Sequence, residues 1–180
     1  LVMPSDHVIA DEASFHEATE TLLPIVQDGW LATYGINPTG PETVYGYIQM
    51  GSAVSAGVQA AQRFVEKPDA ARAVAMIESG NHVWNGGIFL FRADSYLNAV
   101  EADAPEIGAA VREAMSKAQR NGNHINPDEA SFAACPSDSI DYAIMEKAPK
   151  VAVAPVSMGW SDVGSWDALH EIGDKDADGN

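Results

Sequence analysis

Short apolar runs alternate with stretches of helical spacing along this chain, and that alternation restricts the fold more than any other feature. Leu1 to Pro4, Trp30 to Tyr34, Tyr45 to Met50, Val58 to Val65, Ile88 to Phe91 and Val151 to Val156 read as strands. Phe15, Ala18, Leu22 and Val26 recur at helical spacing; Pro24 is expected to kink or shorten that helix, and Gly29 to stop it. Asp69 caps a predicted helix that runs to Ile77 and ends at Gly80. Further helices are predicted over Asp94 to Ala102, from Pro105 to Arg120, after Pro127, after Ser139 and after Ser165. Strands interleaved with helices imply an α/β layer architecture. With 180 residues, 46% of them apolar, one sizeable core can form.

Charge and cysteine content narrow the function classes. The formal net charge of −16 opposes wrapping by DNA or RNA. It does not oppose a small phosphorylated ligand held with a cation, because a divalent ion reverses the local field. Cys135 is the single cysteine, so no intrachain disulfide can form and a reducing cytoplasm is the default compartment. No apolar run reaches the roughly 18 residues of a membrane span, and no signal-peptide pattern opens the chain. Leu1-Val2-Met3-Pro4 reads as the end of a buried strand with nothing before it, so the chain is expected to be a fragment. One domain is expected over residues 1–172, with residues 173–180 a polar tail or a linker to a missing C-terminal domain. There is no Gly-x-Ser-x-Gly elbow, no P-loop, no dinucleotide fingerprint, and no metal-ligand spacing among the five histidines.

Four segments carry candidate chemistry. Asp6 directly follows the first strand, where ligands of open α/β sheets sit; it reads either as a metal-holding carboxylate or as a turn cap. In Phe64-Val65-Glu66-Lys67-Pro68, Lys67 supplies a point charge suited to a phosphate and Glu66 can accept from sugar hydroxyls. A solvated Glu-Lys pair is the other reading. In Trp84-Asn85-Gly86-Gly87, the glycines permit close approach and Asn85 can donate and accept; a plain turn fits equally. Asp162, between a strand and a capped helix, reads as a second carboxylate at a strand end or as another turn residue. Two remote carboxylates could share one Mg²⁺ with phosphate oxygens and water.

Taken together, these segments resemble the bacterial mannose-1-phosphate guanylyltransferases. The matching pieces appear in order: Leu1 to Ile9, Tyr45-Gly46-Tyr47-Ile48, Phe64 to Pro68, Trp84 to Phe91, Ser139 to Lys147 and Met158 to Trp166. The resemblance implies a three-layer nucleotide-diphospho-sugar transferase core, Rossmann-like, with a mixed, mostly parallel sheet and truncated at its N-terminus. It implies the reaction of mannose 1-phosphate with GTP to give GDP-mannose and pyrophosphate. Through it, Asp6 and Asp162 become Mg²⁺ ligands, Glu66, Lys67 and Asn85, with Gly86, become sugar-phosphate contacts, and Gly46 lines the sugar pocket. Lys67, Asp6 and Asp162 then form the catalytic set. The family's Gly-x-Gly-x-Arg-x-x-Pro loop, which wraps nucleotide phosphates, has no counterpart here, so this stretch alone is expected to be inactive. Transfer to glucose 1-phosphate from a uridine or thymidine nucleotide, and a non-catalytic sugar-nucleotide-binding domain, are the alternatives. No nucleic acid or membrane partner is expected, and a homo-oligomer is allowed.

Overall fold

The computed structural model describes residues 1–173 and 175. The expected polar tail over 174–180, Lys175 apart, lies outside the described residues. In chain order the elements are β1 (Val8–Ile9), α1 (Glu12–Gln27), β2 (Leu31–Ile36), β3 (Tyr47–Ser55), β4 (Val58–Val65), α2 (Ala70–Glu78), β5 (His82–Leu90), α3 (Ala93–Asp103) and α4 (Pro105–Ser116). They continue with β6 (Gln119–Asn121), β7 (His124–Asn126), α5 (Glu129–Ala133), a π-helical turn (Asp141–Met145), β8 (Val151–Val156), β9 (Trp160–Ser161) and α6 (Trp166–Ile172). The chain folds as two compact units, Leu1–Phe91 with Lys150–Asn180, and Arg92–Pro149.

In the first unit, β2, β5, β3, β4 and β8 are joined into a closed ring. The sheet is mixed, as expected, but its parallel share is small. Among the described ladders of the ring only β2–β8 is parallel; β2–β5, β3–β4, β3–β5 and β4–β8 are antiparallel. The expected mostly parallel sheet is corrected here. A short turn such as the one from β3 to β4 can only return the chain antiparallel, whereas a parallel pair needs a crossover of about a dozen residues or more.

One face of the strands carries Ala32, Tyr34, Ile36, Tyr47, Trp84, Ala152, Ala154 and Val156, all buried, and α1 covers it with Leu22, Ile25 and Val26. Phe15 stacks on Tyr34 with ring centroids 5.2 Å apart, and Thr19 Oγ1 lies 2.7 Å from the Tyr34 hydroxyl. α1 runs through Pro24 to Gln27 rather than stopping there. The proline removes the donor for the Glu20 carbonyl, but burial of Ile25 and Val26 holds the last turn in place. The other face holds Ile48, Val83 and Val153, with Met50, Ala61 and Phe64 packed on them.

Two other expectations change. Leu1 to Pro4 is not a full strand: Val2 alone exchanges two backbone hydrogen bonds of 2.8 Å with Phe89. The helix expected to reach Arg120 ends at Ser116, and β6–β7 follows as a hairpin. Its two-residue turn is Gly122-Asn123, with Gly122 at φ 59°, a hairpin signal stronger than the helical pattern read through it.

Gly35 shows how tightly the second face is packed. A β-carbon there would lie 2.3 Å from Val83 Cγ2 and 2.7 Å from Val153 Cγ2. Gly35→Ala is therefore expected to destabilise the chain by about 1–3 kcal/mol, measured by urea unfolding; an unchanged midpoint would contradict this packing.

Candidate functional site

Strand pairing brings three candidate residues into one row. Tyr47 pairs with Val65 on one side and with Trp84 on the other. One step along, Gly46 lies between Glu66 and Asn85, and the Asn85 N–H donates to the Gly46 carbonyl at 2.7 Å. Neighbours across a row share a face of the sheet. A β-carbon on Gly46 would sit 2.5 Å from Glu66 Oε2 and 3.4 Å from Asn85 Cβ. The missing side chain thus leaves room for the Glu66 carboxylate against the Gly46 backbone, on the face that Asn85 also borders. Asn85 Oδ1 also accepts from the Gly87 N–H at 3.2 Å.

Gly86 behaves differently from expectation. It is buried, and a β-carbon there would meet the Ile36 side chain and the Tyr34 carbonyl, each at 3.3 Å. Alternation along β5 turns it away from the face of Asn85, and it packs against β2.

Asp162 is tied to Tyr45, the residue before Gly46. The Tyr45 hydroxyl donates to Asp162 Oδ1 at 3.2 Å, and the Gly164 N–H donates to the same oxygen at 3.0 Å. Burial first, and then the charge of Asp162, push the Tyr45 phenol up to about 12, so it stays a donor across the physiological range. The Tyr45 ring packs edge-on against Trp84 at 5.0 Å and Trp160 at 5.3 Å. Trp160 Nε1–H donates to His7 Nδ1 at 3.1 Å, which leaves the imidazole proton on Nε2 when the ring is neutral.

Asp6 reaches the same place through a ladder. β1 and β9 pair antiparallel, Val8 opposite Ser161 and Ile9 opposite Trp160. Extending that register by one sets His7 opposite Asp162, so Asp6 and Asp162 leave the same end of the ladder. Asp6 is exposed and Asp162 half-buried. The pairing of β1 with β9 thus brings the segments that carry the two carboxylates, far apart in sequence, side by side.

Lys67 follows Glu66 at the end of β4. It is exposed, and none of the ion pairs among the described residues involves it. Glu66 beside it is exposed as well. Lys67 has φ 43° and Val163 has φ 53°, the two non-glycine residues in the left-handed region among those described. Lys67 precedes Pro68, a position normally steered to extended backbone. Val163 is β-branched, the least tolerant type at such an angle. Each costs on the order of 1–3 kcal/mol, and strain of this kind collects where backbone geometry serves a ligand. Both flank the candidate residues.

A cleft of about 410 Å³ opens at Asp162, lined in part by Tyr45, Gly164, Glu42, Asp167 and Glu171. Its wall is acidic, so a phosphate would enter only with a cation. Oxygen donors alone suit Mg²⁺. Among the described residues no group of three or more acidic, histidine or cysteine side chains is placed to enclose a metal. A cation here would rest on the Asp6 and Asp162 pair and complete its shell with ligand oxygens and water. Sequence reading misses Tyr45, His7 and Trp160 as parts of the site. The cue for Tyr45 is its place directly before Gly46; the other two carry none, because their link spans 153 residues.

The family model for nucleotidyl transferases matches residues 1–179. The chain is 47% identical over 180 residues to the xanthan biosynthesis protein XanB of Xanthomonas campestris pv. campestris, covering 100% of this chain and 38% of that protein. It is 46% identical over 185 residues to a mannose-1-phosphate guanylyltransferase of Escherichia coli K12, with the same two coverages. A solved structure from Thermus thermophilus, described as a mannose-1-phosphate geranyltransferase, superposes with TM-score 0.84 at 35% identity, over 97% of this chain and 49% of the other. The chain spans 38% of the length of these curated relatives.

Because Val163 is held in the left-handed region, Val163→Gly is expected to raise stability by about 0.5–1 kcal/mol in urea unfolding, the relief of a left-handed β-branched residue less the entropy cost of glycine; a loss of stability would contradict it. The matched residues, the relatives and the shared fold together assign the chain to the nucleotidyl transferase family.

Proposed function

We infer that this chain is the sugar-phosphate-binding part of a mannose-1-phosphate guanylyltransferase. The observation that carries the reading is the row in which bare Gly46 leaves room for the Glu66 carboxylate next to Asn85, with Asp162 hydrogen-bonded to Tyr45, the residue before Gly46. Relatives named for mannose-1-phosphate guanylyl transfer favour mannose over glucose as the sugar. The reaction proposed for the whole protein is attack by a phosphate oxygen of mannose 1-phosphate on the α-phosphorus of GTP. The bond to the β-phosphate oxygen breaks, pyrophosphate leaves, and GDP-mannose remains. The nucleophile arrives with the substrate, so no side chain needs to form a covalent bond.

The residues then act by position and charge. Glu66 accepts from mannose hydroxyls, and Asn85 donates and accepts beside it. A site built for a hydroxyl rejects analogues lacking it far better than an apolar pocket does. Gly46 keeps that pocket open. Lys67, free of a carboxylate partner among the described residues, supplies the positive charge for the sugar phosphate. Asp6 and Asp162 would hold Mg²⁺. When bound, Mg²⁺ offsets negative charge on the phosphates. GTP and GDP-mannose as ligands and a cytoplasmic setting belong to the same reading. No helix among the described residues is long and apolar enough to cross a membrane.

Calorimetry with mannose 1-phosphate tests this reading on the chain itself. Lys67→Ala is expected to weaken binding by about 1.5–3 kcal/mol, the worth of a charged hydrogen bond. Equal affinity of the wild type and the variant would overturn the assignment of Lys67.

A further inference from the structure

A cation at this corner requires Asp162 to present an oxygen, and the structure holds that carboxylate by one face. Oδ1 accepts from both the Tyr45 hydroxyl, at 3.2 Å, and the Gly164 N–H, at 3.0 Å. A carboxylate oxygen has two lone-pair directions in its plane, so two donors occupy Oδ1 and leave Oδ2 as the oxygen for a further ligand. The Gly164 bond is local and comes with the turn at Val163. The Tyr45 bond crosses 117 residues and ties Asp162 to the strand row. Tyr45 itself is fixed by edge-on contacts with Trp84 and Trp160. Trp84 is 5% exposed and belongs to the main core. Trp160 is locked to His7, one residue after Asp6, by the 3.1 Å indole hydrogen bond. One phenol thus connects the residue that makes the sugar pocket, Gly46, to one carboxylate directly and to the segment of the other through Trp160.

We propose that Tyr45 is the positioning residue of the cation site: its hydroxyl holds Asp162 in the rotamer that turns Oδ2 toward the ion, and its ring sets that carboxylate in register with the sugar row. The inference rests on the proposed cation role of Asp162. Tyr45 touches neither metal nor substrate in this scheme and acts through Asp162. Groups that orient metal ligands commonly change metal affinity about 10–100-fold when removed. A single neutral donor shared with a backbone N–H belongs at the lower end of that range.

The test is Mn²⁺ titration of the chain with mannose 1-phosphate present, followed by electron paramagnetic resonance, for the wild type, Tyr45→Phe, Asp162→Asn and the double variant. Tyr45→Phe keeps the ring that packs on Trp84 and Trp160, and thermal melting checks that its fold is retained. The expected result is an Mn²⁺ dissociation constant raised about tenfold by Tyr45→Phe. It is raised further by Asp162→Asn, and the double variant is no worse than Asp162→Asn alone, because Tyr45 acts only through that carboxylate. If Asp162→Asn weakens Mn²⁺ binding and Tyr45→Phe does not, the positioning role is overturned while the cation site stands. If Tyr45→Phe weakens binding equally with Asn at 162, Tyr45 acts by another route and the inference is overturned. If Asp162→Asn leaves Mn²⁺ binding unchanged, the cation role and the inference fall together.

Discussion

The contact of the Glu66 carboxylate with the bare backbone of Gly46 is the constraint on which the site depends. Only 2.5 Å separates Glu66 Oε2 from where a β-carbon would stand, so any other residue at 46 must push the carboxylate aside. Hydrogen bonding between strands fixes the three partners of the row to within the tolerance of a sheet. Glu66 follows β4 and Asn85 lies in β5, and bringing both to Gly46 requires the whole order β4–β3–β5. The ring of strands is what turns separate segments into one pocket wall. α1 and the buried face beneath it supply the rigidity, through side chains such as Tyr34, Tyr47 and Trp84 that are at most 5% exposed.

Around this row the chain accepts local strain and local charge crowding. Lys67 and Val163 hold backbone angles that their side chains oppose, and Glu42, Asp162, Asp167 and Glu171 line one cleft. Neither feature helps the fold alone. A cation and a phosphate would relieve the crowding, since each neutralises what the other brings. Strain is retained where the surrounding structure over-determines it, and here the neighbours are a buried proline at 68 and a turn in which the Val163 and Gly164 N–H groups donate to Ser161 Oγ and Asp162 Oδ1.

Much of this is legible in the sequence, but unevenly. The caps at Asp69 and Ser165, whose side chains accept from the Arg72 and Ala168 N–H groups, can be read directly, because a cap is a local hydrogen bond with a local signature. The strands Val58–Val65 and Val151–Val156 have the limits their apolar runs predict. The balance of parallel and antiparallel pairs is not legible, since pairing is decided between segments up to about a hundred residues apart in the chain. Gly86 shows the same limit at one residue: next to Asn85 it looks like a ligand-approach glycine, but the alternation of β5 turns it onto Ile36. Tyr45 offers only its place before Gly46 as a cue, because its partner, Asp162, is distant in sequence and near only in space.

The central claim is that Asp6 and Asp162 converge on one cation beside the pocket of Gly46, Glu66 and Asn85. The most direct measurement is a crystal structure of the chain grown with Mn²⁺ and mannose 1-phosphate, with anomalous scattering used to locate the ion. The predicted result is an anomalous peak within about 2.0–2.6 Å of an oxygen from each of the two carboxylates, with the sugar lying against Glu66 and Asn85. A sugar bound elsewhere, or an ion held by neither aspartate, would contradict it.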